Sequence, residues 1–178
     1  MITYEPIKID FRTNLLKYSS FLSLFDRESL LKELDKLDYQ AIYENHKLAR
    51  FESQASINVG SMISNFITDI LAQLEEYYKS DLKVEHFVFK YVKDCEVPWH
   101  VDKPRHYFLS MLYLGDFSGG SYIYKGKDEN EYKISLQRGD LLLSVNKNQV
   151  GENCNTEHMV SKISSGIRYV IASTFVKS

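Results

Sequence analysis

Two cysteines, three prolines and one tryptophan are all that this 178-residue chain carries of those residue types. Cys95 and Cys154 stand far apart, which excludes a disulfide-stapled secreted scaffold and a cysteine-rich zinc site; both are expected as free thiols. Charge bias is lacking too. Against 24 Asp and Glu there are 22 Lys and Arg, for a net charge of -2 and a pI near 6.2. No basic field exists to draw nucleic acid or an anionic membrane, so neither is expected as a partner. No apolar run reaches the roughly 18 residues of a membrane span. The opening MITYEPIKIDFRTN holds acidic residues and no continuous apolar segment of the kind a secretory leader needs. The expected address is cytoplasmic.

What is present is globular composition: 44% hydrophobic, 13% aromatic and 26% charged. Its 13 Tyr and 10 Phe favour β structure. The length suits one domain, residues 1–178, with 1–81 as a helical N-terminal support and 82–178 as the β core. From Asp26, DRESLLKELDKLD brings Leu30, Leu31, Leu34 and Leu37 onto one helical face. From Ser61, SMISNFITDILAQLEEYYKS repeats the pattern with a broader stripe. Arg50 to Gly60 reads as a connecting segment. After Leu82 come short β-like runs: VEHFVFKYV, HYFLSMLYL, SYIY, YKISL, DLLLSV, EHMVSKI and IRYVIASTF, separated by turn-forming residues. The expected fold class is α+β with a mainly β core, a jelly roll buttressed by N-terminal helices.

Chemistry concentrates in PWHVDKP. His100 and Asp102 are two residues apart just after a candidate strand, where alternation sends both side chains to one face. His158, near the start of EHMVSKI, is a third candidate on a later strand. Two imidazoles and one carboxylate form a facial triad that leaves three positions of an octahedral Fe(II) open, the mark of a catalytic rather than a structural site. Arg168 shares a strand face with Val170, Ala172 and Thr174, and a guanidinium in such a setting calls for an anion. Tyr113, alternating with Met111, Leu109 and Tyr107, can offer its hydroxyl to the same anion.

In this order the residues resemble the iron(II) and 2-oxoglutarate-dependent oxygenases, specifically the prolyl-hydroxylase-like branch. The resemblance covers about Phe87 to Phe175: the tyrosine of FKYV, HVD followed by proline, YLGDFSGGSYIY, RGDLLLSV, His158 followed by Val160, and S-G-x-R-Y at Ser165 to Tyr169. It implies a double-stranded β-helix of cupin-like type, Fe(II) held by His100, Asp102 and His158, and the distal carboxylate of 2-oxoglutarate held by Arg168 and Tyr113. Tyr91, nine residues before His100, would line the same pocket. The implied activity is that of a dioxygenase using O2 to hydroxylate an unactivated C–H bond, with release of succinate and CO2.

The substrate class stays open between a small amino-acid-like metabolite and a prolyl or other peptidyl residue. Desaturation, cyclisation and a catalytically inactive metal-binding jelly roll are the alternatives. Family members that halogenate replace the carboxylate of the triad, so Asp102 favours hydroxylation. Departures from the family pattern are HMVSKIS, which lacks a proline after the distal histidine, and Val170, where related oxygenases carry Ser or Thr. The polar loop NKNQVGENCNTE, with Asn146, Asn148, Asn153 and Asn155, either meets a polar substrate or satisfies itself. Trp99 is a candidate for the pocket wall, with packing as the plainer reading; Lys103 and Arg105 are candidates to meet an acidic substrate, with solvated loop charge as the plainer reading. His46, His86 and His106 are read as ordinary surface or core histidines.

Overall fold

A computed structural model describes residues 2–154 and 156–178. In chain order its elements are β1 (Leu15–Tyr18), α1 (Leu24–Leu34), β2 (Gln40–Glu44), β3 (Lys47–Gln54), α2 (Ile57–Tyr78), β4 (Leu82–Tyr91), β5 (Val97–His100), β6 (His106–Leu114), β7 (Phe117–Gly119), β8 (Tyr122–Lys125), β9 (Glu131–Ile134), β10 (Leu141–Val145), β11 (His158–Val160), β12 (Ile163–Gly166) and β13 (Arg168–Lys177). A seven-stranded sheet runs β1-β10-β6-β13-β4-β3-β2, a four-stranded sheet β5-β11-β8-β9, and a two-stranded sheet β12-β7. Sequence neighbours are often not sheet neighbours, as in β10 between β1 and β6. The tertiary pairing therefore interleaves early and late chain.

Period-two alternation gives the large sheet two different faces. Val88, Phe108, Leu112, Leu143, Ile171 and Phe175 project one way and join Leu30 and Leu34 of α1 and Ile63, Phe66, Ile70 and Leu74 of α2 in one core. Tyr91, Tyr113, Leu142 and Val170 project the other way and pack with Val97, Tyr122 and Ile163 from the smaller sheets. Each fully buried aliphatic or phenyl side chain contributes about 1.5–3 kcal/mol relative to exposure. Strand β13 is central, paired with β4 on one side and β6 on the other, and is buried from Arg168 to Val176.

The helices form where apolar spacing predicts them, but their starts differ. In α1 the cap is Ser23, whose Oγ accepts from Asp26 N at 3.1 Å; Asp26 belongs to the first turn. In α2 the cap is Ser56, whose Oγ accepts from Val59 N at 3.2 Å, so the helix includes Gly60. The segment Arg50 to Gly60 is thus no connection. It holds the end of β3, a cap and the first helical turn. Strand β3 escaped recognition because one of its faces carries Arg50 and Glu52, which erases the apolar alternation. Asn45 and His46 join β2 to β3 with both φ positive, 50° and 64°, as a two-residue hairpin turn requires. The N-terminal part is therefore not helical support alone, since β1, β2 and β3 extend the large sheet at both edges.

Among the later strands, HYFLSMLYL is reproduced residue for residue as β6. EHMVSKI, expected as one strand, divides into β11 and β12 in different sheets. The break falls at Ser161, whose N and Oγ both bond the Ser121 backbone, 3.0 Å each.

Candidate active site

Between the large sheet and the four-stranded sheet lies a cavity of about 350 Å³, and His100, Asp102, His158, Arg168, Tyr113 and Tyr91 all line it. Strand pairing sets the two histidines directly opposite one another: His158 of β11 is the register partner of His100 of β5. Their ring centroids are 4.3 Å apart. Each ring is held in the same way. Nδ1 of His100 bonds the Pro98 carbonyl at 2.9 Å, and Nδ1 of His158 bonds the Thr156 carbonyl at 2.9 Å. A carbonyl only accepts, so the proton of each neutral ring sits on Nδ1 and the Nε2 lone pair points elsewhere, the tautomer a metal ligand needs.

Asp102 completes the group, with Oδ1 3.8 Å from His158 Nε2. One ligand atom from each of the three residues lies within 4.8 Å of the others, the one such group among the described residues. Burial pushes the His158 imidazole below its ordinary pKa, a shift that Asp102 opposes and His100 reinforces. The ring is accordingly neutral at neutral pH and able to ligate. Tyr122 stacks on it, centroids 4.8 Å apart. Two imidazoles and a carboxylate, converging with their lone pairs together, can hold a divalent cation such as Fe(II).

Arg168 is 1% exposed, the largest of the fully buried side chains. Its Nη1 donates to the Gly120 carbonyl, while Nε is buried and finds no hydrogen-bond partner. Around the guanidinium stand aromatic rings, Tyr91 at 4.2 Å and Tyr113 and Phe117 at 5.7 Å each. A permanently charged group so placed, with donor capacity left over, fits a bound carboxylate. Tyr91 is the register partner of Arg168 across β4 and β13, and Tyr113 faces Val170 from β6. Burial raises the pKa of both phenols although Arg168 draws them down, so both keep their protons and can donate.

The Gly-Gly turn has a specific role here. Gly119 and Gly120 both have positive φ, 78° and 65°, and a Cβ on Gly120 would land on Arg168 Nη1 and Ile163 Cδ1. The turn brings bare backbone against the guanidinium, which no other residue permits.

No protein-family model matches the sequence, and no curated protein is detectably similar to it. Solved structures are. An oxidoreductase of the 2OG-Fe(II) oxygenase family from Burkholderia pseudomallei superposes with a TM-score of 0.73 over 93% of this chain and 86% of its own, at 10% identity. A prolyl-4-hydroxylase from Pseudomonas putida gives 0.67 over 93% of each chain, at 16% identity. HygX from Streptomyces hygroscopicus, with nickel and 2-oxoglutarate bound, gives 0.69 over 93% of this chain and 84% of its own, at 15% identity. The chain has the fold of the 2-oxoglutarate and iron(II) oxygenases. This likeness of fold spans 93% of the chain, where the resemblance read in the sequence covers about half.

Several residues at this site were not anticipated. Glu44, Arg50 and Glu52 line the cavity from β2 and β3. Arg50 Nη1 pairs with Glu44 at 2.7 Å, Nη2 reaches Glu52 at 3.5 Å, and the guanidinium lies over the Phe89 ring at 5.1 Å. Lys103 and Arg105 also line the cavity while staying solvent-exposed, Arg105 paired with Glu85 at 2.9 Å. Trp99 lies beneath Lys125, whose Nζ is 5.1 Å from the ring centroid. The loop asparagines part company. Asn148 accepts from Val150 N and Glu152 N, and Asn153 accepts from Lys147 Nζ, so both satisfy the loop itself. Asn155 lies outside the described residues. Asn146 is buried and turns inward to Asp102. No helix among the described residues is long and apolar enough to cross a membrane.

Proposed function

We propose that this chain is a single-domain Fe(II)- and 2-oxoglutarate-dependent dioxygenase built on a double-stranded β-helix, and that it hydroxylates an unactivated C–H bond. The observation that carries the reading is one cavity holding both the converging His100, Asp102 and His158 and a buried Arg168 ringed by aromatics. In this reading the triad holds Fe(II), while Arg168 takes the distal carboxylate of 2-oxoglutarate with Tyr113 and Tyr91 donating beside it. Iron and cosubstrate, when bound, supply O2 activation coupled to decarboxylation. The chain's own residues position and exclude: Tyr122 stacks on His158, and Phe87, Phe89, Leu109 and Val160 add apolar lining to the cavity.

For the substrate we favour a small, charged, amino-acid-like molecule over a peptide. Glu44, Arg50 and Glu52, together with Lys103 and Arg105, line a cavity of about 350 Å³ and offer charges of both signs to a zwitterion. Support for a peptidyl substrate comes from the fold likeness to a prolyl-4-hydroxylase. An intact Asp102 argues for hydroxylation, and product mass separates that outcome from desaturation or cyclisation.

The test has two parts. Anaerobic addition of Fe(II) and 2-oxoglutarate should produce the weak visible charge-transfer band of the chelate, lost in His158→Ala and strongly weakened in Arg168→Ala. Free amino acids should then drive succinate release that depends on both additions. Normal chelate formation in both variants would overturn the site, and turnover of proline-containing peptides alone would overturn the substrate choice.

A further inference from the structure

Of the three triad residues, Asp102 is the one that stands outside every described strand. His100 ends β5 and His158 begins β11, paired with each other and each pinned through Nδ1 to a carbonyl. Asp102 sits in the 101–105 segment beyond β5, in a stretch without ladder bonds of its own. A carboxylate offers two oxygens, and a place on such a segment does not by itself decide which of them ligates. A facial triad needs that choice settled. A second carboxylate oxygen on the metal would take one of the three positions that the chemistry requires to be open.

The large sheet reaches across to supply one constraint. Asn146, just past the end of β10, is 1% exposed, and its Nδ2 donates to Asp102 Oδ2 at 3.2 Å. Ser144, also buried, donates from Oγ to Asn146 Oδ1 at 2.7 Å. This settles which way the amide faces: a carboxylate only accepts, so the amino group turns to Asp102 and the amide oxygen to the hydroxyl. The main chain of Asn146 is clamped as well, its N–H donating to Tyr107 O at 3.0 Å and its carbonyl accepting from Cys154 N at 2.9 Å. Asp102 Oδ1 lies on the His158 side, 3.8 Å from Nε2.

We infer that Asn146 is a positioning residue: through Ser144, Asn146 and Oδ2 of Asp102, the large sheet holds the aspartate to ligation through Oδ1 alone and thereby keeps a coordination position open. The inference rests on the metal reading above and adds a role for a residue in the 146–157 loop. A buried asparagine serving only to tie that loop down would matter to folding and not to the metal.

Co(II) titration of the purified chain separates the two roles, read by visible absorption and accompanied by the melting temperature of the metal-free protein. Asn146→Ala and the near-isosteric Asn146→Leu should each weaken Co(II) binding by about 10- to 100-fold, the usual effect of losing an outer-shell partner. At saturating Co(II) both should show an altered d–d spectrum. Ser144→Ala should shift affinity in the same direction by less, and Asn148→Ala, from the self-bonded part of the loop, should leave it unchanged. If Asn146→Ala does not fold, the near-isosteric variant and Ser144→Ala carry the comparison. Affinity within about twofold of wild type in a folded Asn146 variant, where about 10-fold or more is expected, would overturn the inference, as would weaker binding with a wild-type spectrum at saturation. Failure of the wild-type chain to bind Co(II), or undiminished binding by His158→Ala, would sink the metal reading and this inference with it.

Discussion

At Gly120 the backbone holds φ at +65° and its carbonyl takes a hydrogen bond from Arg168 Nη1. Substituting alanine has two separable effects. The left-handed conformation costs a non-glycine residue about 1–2 kcal/mol. The added Cβ also pushes against Arg168 Nη1 and Ile163 Cδ1, so the guanidinium must move. Gly120→Ala is therefore expected to lower 2-oxoglutarate affinity at least tenfold in a chain that still folds, the effect of about 1.4 kcal/mol. Calorimetric titration in the presence of a redox-inert divalent metal measures it. Unchanged cosubstrate affinity in a folded variant would show that Arg168 does not depend on this turn. At the residue scale the candidate ligands were legible because His-x-Asp, a distant histidine and an arginine are rare types in a telling order. Asn146 was not, because an asparagine in a polar loop reads the same whether it faces solvent or a carboxylate.

Elements explain which parts of the sequence misled. Helix α2 spans Ile57–Tyr78 and lays Val59, Ile63, Phe66, Ile67, Ile70, Leu74 and Tyr78 against the large sheet. Its stripe was plain in the sequence, whereas its start was not, because Gly60 suggests a break. The Ser56 cap resolves this by satisfying the N–H of Val59 ahead of the glycine. Ser56→Ala is expected to destabilise the protein by about 1 kcal/mol without altering the charge-transfer band, as urea unfolding and the anaerobic spectrum would report. A loss below a few tenths of a kcal/mol would assign α2 stability to packing alone. The β2–β3 hairpin is the reverse case. It has good turn chemistry at Asn45-His46, but its cavity face is charged, so apolar periodicity could not announce it.

Across the whole molecule, three of the histidines respond to burial in the same sense. Desolvation lowers the pKa of His86, His106 and His158 below the ordinary value of 6.5. In the unfolded chain these rings take up protons as pH falls through about 6.5, while the folded chain resists doing so. Where the unfolded state binds more protons, stability rises with pH. The metal-free protein is thus expected to lose stability as pH falls from above 6.5 towards the lower folded-state values, and to level off once the folded rings protonate. Urea midpoints between about pH 5 and pH 8 test this, and a flat profile across that window would refute it. Metal should raise the midpoint further, since a ligand that binds only the folded state stabilises it.

Much at this scale belonged to the sequence alone. Local alternation, helical spacing and the order HVD, His158, Arg168 determined the mainly β character, both helices and five residues of the candidate site, since these depend on residue type and near-neighbour period; Tyr91 entered through the family resemblance alone. What only the tertiary structure decided is who pairs with whom. His100 opposite His158, Gly120 beneath Arg168, the Arg50 row at the cavity rim and Asn146 on Asp102 all join residues separated by tens of positions or brought in from another sheet. Such contacts arise from sheet order and register, which long-range packing selects and no local pattern records.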